Sequence, residues 1–269
     1  MIRRIGPWCA VIAVLGFSTG PLISQVVTSL RPEQALLGGA SPFAWSLDNY
    51  RGALQGRSLG RALFNSLAVA GATTLLCLAI GSLASFALAK LQFRGKGVWL
   101  GGALAISMFP PIATVSALYL VIRALGLRDT LAALVLSYVT FAMPLTLFVL
   151  TRFFREIPDA IYEAARVDGC NPLQAWWHVG LPLAAPGIAS TAILVFIFSY
   201  NEFLYALTFT SSPEMRTVPV AISLFASNRV EPWGEIAAAS VMAAVPLVLV
   251  AVAFQRRIVT ALTQGAVKD

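Results

Sequence analysis

Six long apolar runs, separated by short polar segments, constrain this chain more than any other feature of its sequence. They lie at about residues 5–30, 62–89, 98–120, 130–150, 187–207 and 236–254. An α-helix rising about 1.5 Å per residue crosses the ~30 Å hydrocarbon layer of a bilayer in about 20 apolar residues. Inside lipid a helix satisfies every backbone N–H and C=O within its own segment. The expected fold is therefore an all-α membrane protein, one transmembrane domain over residues 1–269 with six spans. Composition agrees: 58% of residues are hydrophobic, 12% are charged and the mean hydropathy is +0.79, too apolar for a soluble domain. The first run follows Arg3-Arg4, as a secretory signal does, but no small-x-small cleavage site closes it. It reads as an uncleaved first helix.

Within the runs, Gly71, Ala72, Gly81, Ser82 and Ser85 are small residues that let neighbouring helices approach. Pro110-Pro111, Pro144 and Pro246 are expected helix breaks, because each proline removes a backbone donor. The net charge of +7 sits in the segments between runs, where it orients the chain in the membrane rather than binding nucleic acid. With both termini cytoplasmic, Arg3, Arg4, Lys90, Arg94, Lys96, Arg152, Arg155, Arg166, Arg256, Arg257 and Lys268 fall inside and Arg31, Arg51, Arg57, Arg61, Arg123, Arg128, Arg216 and Arg229 outside, a modest bias. Cys9, Cys77 and Cys170 have no Cys-x-x-Cys spacing and imply neither a disulfide framework nor a metal site. His178 stands alone, without a ligand at metal spacing, and reads as a helix-surface side chain.

The longest polar stretch between two strongly apolar runs covers residues 156–186. It reads as two short helices joined by a tight bend. The first starts after Pro158, with Asp159 near the positive end of its dipole, and stops at Gly169, the residue type suited to a left-handed C-cap. Asn171-Pro172 restarts the chain, with Asn171 as N-cap, Pro172 at the first helical position and Gln174 completing a capping box. Leu173, Trp176, Trp177 and Gly180 then fall on one apolar face, and Pro182 is expected to end the helix. The hairpin is either an interfacial connector with its tryptophans at headgroup level or a docking element for a partner.

Order and spacing decide between these. Glu163-Ala164-Ala165, then Asp168-Gly169, Trp176, Val179 and Leu181-Pro182 closely resemble the EAA loop of ABC-importer permeases. That loop reads EAA, two residues, DGA, five residues, F, two residues, I, one residue, LP. Here Cys170, Trp176 and Val179 replace its Ala, Phe and Ile with residues of similar character. Phe153 to Pro158, Ser199 to Phe203 and the tail from Gln255 to Asp269 resemble the carbohydrate-uptake subfamily, in particular the second permease of maltose-type importers. The final Asp269 replaces the glycine usual there.

The resemblance implies the ABC importer permease fold with a cytoplasmic two-helix coupling loop, in a multi-pass protein of the bacterial inner membrane. It implies as partners an ABC ATPase dimer, a second and different permease subunit, an extracytoplasmic solute-binding protein and membrane lipid. Glu163, Ala164, Ala165, Asp168, Gly169, Trp176, Leu181 and Pro182 would couple to the ATPase, with Gln264, Gly265 and Lys268 as secondary contacts. ATP and Mg would be bound by the ATPase, with no cofactor in this chain, and the cargo would be a sugar or sugar-like solute. The chain carries no Gly-x4-Gly-Lys-Ser/Thr phosphate loop, so ATP hydrolysis falls to a partner.

Glu202, beside Asn201 in an apolar run, would cost about 2.5–3.5 kcal/mol at a helix centre. It either lines the solute pathway with Tyr200, Asn201 and Tyr205, or makes a structural hydrogen bond or lies near the headgroups. A secondary transporter or channel working without an ATPase is the competing class, since broken helices and an intramembrane carboxylate suit it too. That class gives no reason for the Glu-Ala-Ala hairpin. An intramembrane enzyme is disfavoured by the lack of Ser/His, paired Asp or His-Glu-x-x-His arrangements in the spans.

Overall fold

The computed structural model describes residues 2–38, 44–225 and 232–263, and its described residues contain helices and no strand. The longer elements, in chain order, are α1 (Ile2–Ser29), α2 (Leu59–Lys90), α3 (Lys96–Ser107), α4 (Pro111–Ala124), α5 (Leu131–Glu156), α6 (Asp159–Val167), α7 (Pro172–Leu183), α8 (Ala185–Tyr200), α9 (Leu204–Phe209), α10 (Val218–Ser223) and α11 (Trp233–Thr263). Among the described residues four helices are long and apolar enough to cross a membrane, or six spans if each of two bent pairs is one.

Those bent pairs are where prolines and small residues act. α3 and α4 meet at 100°, with Pro110 extended before the helix and Pro111 at its first position, where a missing N–H costs nothing. Pro144 and Pro246 behave differently from the expected breaks. Both lie inside continuous helices, α5 and α11, because neighbouring backbone adjusts around a single lost donor. The expected fifth span over residues 187–207 is instead two helices, α8 and α9, interrupted at residues 201–203. The polar segment before α2 contains short helical turns at Glu33–Leu36, Asp48–Arg51 and Gly52–Gly56.

The chain forms two compact units. One comprises residues 1–63 and 218–248. In it the buried Asn49 amide donates to the carbonyls of Ser29 (2.9 Å) and Arg31 (2.7 Å), satisfying acceptors that the end of α1 leaves without helical partners. Arg57 pairs with Glu235 at 3.1 Å and lies 5.4 Å over the Phe225 ring. The core there is Leu59, Val218, Phe225 and Ala239. By contrast, apolar side chains of α1 such as Ile12, Phe17 and Leu22 are exposed and need lipid or another subunit to cover them.

The other unit comprises residues 64–217 and 249–269. α5 packs against α3 and α8, and α9 against α4 and α5. Thr130 caps α5 by accepting from the Ala133 N–H, and Ile157, held extended before Pro158, ends it. Ser85 of α2 donates to the Leu147 carbonyl of α5 at 3.3 Å, the interhelical use of small polar residues, worth about 0.6 kcal/mol in membranes. Cys77, Ala142 and Val195 fill the buried centre where α2, α5 and α8 meet.

Candidate functional site

The hairpin of α6 and α7 is fixed by its own backbone. Gly169 adopts φ +86, and the Gly169 and Cys170 N–H groups donate to the Arg166 and Ala165 carbonyls at 3.2 and 2.9 Å. This is a Schellman end, in which a left-handed residue returns two donors to the last turn. The next helix starts on a complete capping box: Asn171 Oδ1 accepts from the Gln174 N–H and Gln174 Oε1 accepts from the Asn171 N–H, both at 2.9 Å. Both features match the sequence expectation.

The second helix departs from expectation at its end. Pro182 does not stop it; the helix continues to Leu183 and turns by 80° at Ala184. A wide turn over Trp176–Gly180 ends two residues before Pro182, and its i→i+5 bonding accommodates a residue without an N–H. The expected single apolar face also divides into two rows. Trp176 is half-buried and Gly180 buried, against a cluster of Phe86, Leu150, Phe154, Ala165 and Ala175. Leu173 and Trp177, also an i, i+4 pair, are 57% and 60% exposed.

Glu163, Ala164, Asp168, Gly169 and Pro182 are exposed and Leu181 half-buried, whereas Ala165 is buried and packs inward. The smallness of Ala165 therefore serves the fold of the hairpin itself, and the outer surface is formed by Glu163, Ala164, Val167, Leu173 and Trp177. Sequence reasoning missed Val167 as a surface residue, although it sits at 88% exposure. His178 bonds locally to the Gln174 carbonyl (3.1 Å), and among the described residues no His/Cys/Asp/Glu group could hold a metal. Gln264, Gly265 and Lys268 lie outside the described residues.

The second expected site does not assemble as a polar surface. Glu202 lies in the break between α8 and α9 rather than at a helix centre, and its carboxylate accepts from the Tyr205 N–H (3.0 Å) and Ala206 N–H (3.2 Å). It caps α9, where an anion also meets the positive end of the helix dipole. Tyr205 is buried, its hydroxyl within 3.0 Å of Thr114 Oγ1 and donating to the Pro111 carbonyl, its ring stacked on Phe141 at 4.9 Å. Tyr200 is buried as well, and the exposed Asn201 donates to the Ile197 carbonyl at 2.8 Å.

Beside them is a groove of about 450 Å³ between α4 and α9, lined by Ser116, Tyr119 and Thr208 among others. These are isolated polar residues in apolar runs, which no spacing rule selects. Asp129 was also missed. It sits at φ +59, and its Oδ1 accepts from the Ser211 and Ser212 N–H groups at 2.8 and 3.1 Å, which hold its carboxyl below the usual range, the Ser211 bond most strongly.

The chain is helical and multi-pass, with a capped hairpin between its spans. Residues 53–264 match the family described as binding-protein-dependent transport system inner membrane component, and the chain belongs to that family. It is 42% identical over 270 residues, 99% of this chain and 98% of that protein, to the trehalose transport system permease protein SugB of Mycobacterium tuberculosis (strain CDC 1551 / Oshkosh). It is 39% identical to the trehalose/maltose transport system permease protein MalG of Thermococcus litoralis, over 92% of this chain and 91% of that protein. In fold it resembles a chain of a bacterial ABC transporter involved in the import of the acidic polysaccharide alginate, with a TM-score of 0.80, 21% identity and coverage of 94% and 96% of the two chains. The ABC-importer resemblance read from the loop and tail holds, and the secondary-transporter alternative is not favoured.

Proposed function

We propose that this permease subunit moves a sugar, of disaccharide or glycoside size, through a pathway it encloses with a second, different permease. An extracytoplasmic binding protein delivers the solute, and a cytoplasmic ATPase dimer binds ATP and Mg and drives the cycle. In this reading both termini and the hairpin are cytoplasmic, in a bacterial plasma membrane. The observation that carries it is the outer row of the hairpin. Leu173, Trp177 and Val167 stand exposed, with Glu163 on the same hairpin, on a scaffold whose backbone ends are already satisfied. An aromatic anchor rimmed by charge is the composition of an interface hot spot. The hairpin docks in the ATPase through that row, with Gln264, Gly265 and Lys268 of the tail as further contacts.

The sugar class rests on the relatives, whose named cargoes are trehalose, maltose and sulfoquinovosyl glycerol. The groove at Ser116, Tyr119 and Thr208 offers a ring face and hydroxyls to such a solute. The test is mild-detergent co-purification of the tagged chain from its own membranes, followed by uptake in liposomes. Retention of an ATPase and a second permease, with uptake that requires ATP and loaded binding protein, is expected. A chain that purifies alone and carries solute without ATP overturns the reading.

A further inference from the structure

The hairpin is joined to its flanking spans by hinges on both sides. At one end Ile157 and Pro158 are extended between α5 and α6; at the other the chain bends by 80° at Ala184 between α7 and α8. Movement of the hairpin is therefore not transmitted stiffly along the chain, and what holds it laterally becomes decisive.

Two residues one helical turn apart at the end of α2 hold it. The Phe86 ring meets Phe154 of α5 edge-on at 5.5 Å and Tyr162 of α6 edge-on at 5.8 Å. It also lies so close to α7 that a Cβ on Gly180 would stand 3.0 Å from its ring atoms. Four residues on, the Lys90 side chain is only 2% exposed, and its ammonium donates to the Ile157 carbonyl and to Asp159 Oδ1, the latter at 2.6 Å. Ile157 is the hinge residue, and Asp159 is the first residue of α6. This ion pair ties the hairpin to a span. A charge-membrane rule explains a lysine at the end of a span, but it predicts an ammonium in the headgroups rather than one buried beneath a hairpin.

We propose that the end of α2 receives the motion of the hairpin, and that Lys90 is a positioning residue for energy coupling. Its ammonium pins the hinge and the start of α6 together, so that displacement of the hairpin moves α2 instead of being absorbed at Ile157–Pro158. The inference rests on the importer reading and assigns Lys90 a role beyond orienting the chain in the membrane.

The test uses the assembled complex of both permeases, the ATPase and the binding protein in proteoliposomes, reading sugar uptake and ATP hydrolysis separately. ATP-dependent uptake by the unmodified complex is the control, and its failure would count against the importer reading alone. Lys90→Gln is expected to lower the sugar moved per ATP by about fivefold or more, the lower end of typical coupling between sites, while hydrolysis continues. Lys90→Arg, which keeps a charge and two or more donors, is expected to recover it. Asp159→Asn, at an exposed carboxylate, keeps the carbonyl bond and is expected to fall between. Unchanged transport per ATP in Lys90→Gln overturns the proposal, as does a loss that Lys90→Arg does not recover. If Lys90→Gln yields no complex, Asp159→Asn decides, and wild-type stoichiometry there overturns it.

Discussion

In the hairpin, from Asp159 to Leu183, every cap is made by a residue a few positions from the group it serves; in the turn from Tyr200 to Ser212, a decisive partner comes from far along the chain. The capping box pairs residues three apart, and the Schellman end spans one turn. The second region is closed by Asp129, 82 residues before Ser211, and by Tyr205 reaching Thr114 and Pro111. The consequences for their surfaces are opposite. Local caps leave the hairpin's outer row unoccupied and ready for a partner, whereas the carboxylates of Glu202 and Asp129 and the Tyr205 hydroxyl are already bonded within the chain.

The largest effect should come from Gly169→Asp. A Cβ at this position meets no atom within 4 Å, so the cost is the left-handed backbone alone, about 1–2 kcal/mol and less for Asp, and the chain should fold. The added carboxylate at the bend of the docking hairpin is expected to abolish uptake with normal protein levels in the membrane. Full uptake by this variant would remove the hairpin from the coupling path. Trp177→Ala should act next most strongly, because an exposed indole contributes little to the fold and much to an interface. About tenfold weaker retention of the ATPase, with an unchanged unfolding midpoint, is expected, a hot-spot loss of ~1.4 kcal/mol. Trp176→Ala sharpens the contrast: with its side chain in the Phe86–Phe154 cluster, it should lower the midpoint itself.

Glu202→Gln tests the other region. An amide oxygen still accepts from one of the two N–H groups but lacks the charge that favours the start of α9. A loss of about 1 kcal/mol in stability with unchanged sugar preference is expected, measured by thermal unfolding and competition uptake. Altered preference would return Glu202 to the solute pathway and erase the distinction between the two regions.

The same distinction explains what could be read from the sequence. The spans follow from length and hydropathy, and the hairpin's caps follow from Gly169, Asn171, Pro172 and Gln174, whose partners are adjacent. Pro144 and Pro182 misled, because helix continuation past a proline depends on how surrounding backbone is satisfied, which a sequence does not display. Glu202 looked expensive only while it was placed at a helix centre; the break at residues 201–203 gave it two backbone donors. The inward turn of Ala165 and the burial of Lys90 depend on which helices lie against the hairpin. Hydropathy patterns cannot supply that information.

The smallest effect, and the finest test of the long-range closure, belongs to Asp129. Its left-handed backbone suits Asn as well as Asp, so Asp129→Asn removes the charge without straining the chain. The two bonds from Ser211 and Ser212 persist to a neutral oxygen, and solvent at this half-exposed site weakens the charged contribution. A loss of about 1 kcal/mol or less is expected at pH 7. Because folding lowers the carboxyl's pKa from its ordinary value of 3.8, the stabilisation is present above that value and disappears as pH falls through the lower folded one. Stability should therefore be indifferent to this group between pH 5 and 8, and the gap between wild type and Asp129→Asn should close only in strong acid. Asp129→Ala, which keeps the backbone bond from its own N–H to the Phe209 carbonyl but loses both side-chain bonds and strains φ, should be less stable than Asp129→Asn. If the three proteins unfold at one midpoint, the backbone bond from Asp129 to the Phe209 carbonyl alone closes the turn, and the second region would not depend on a distant side chain.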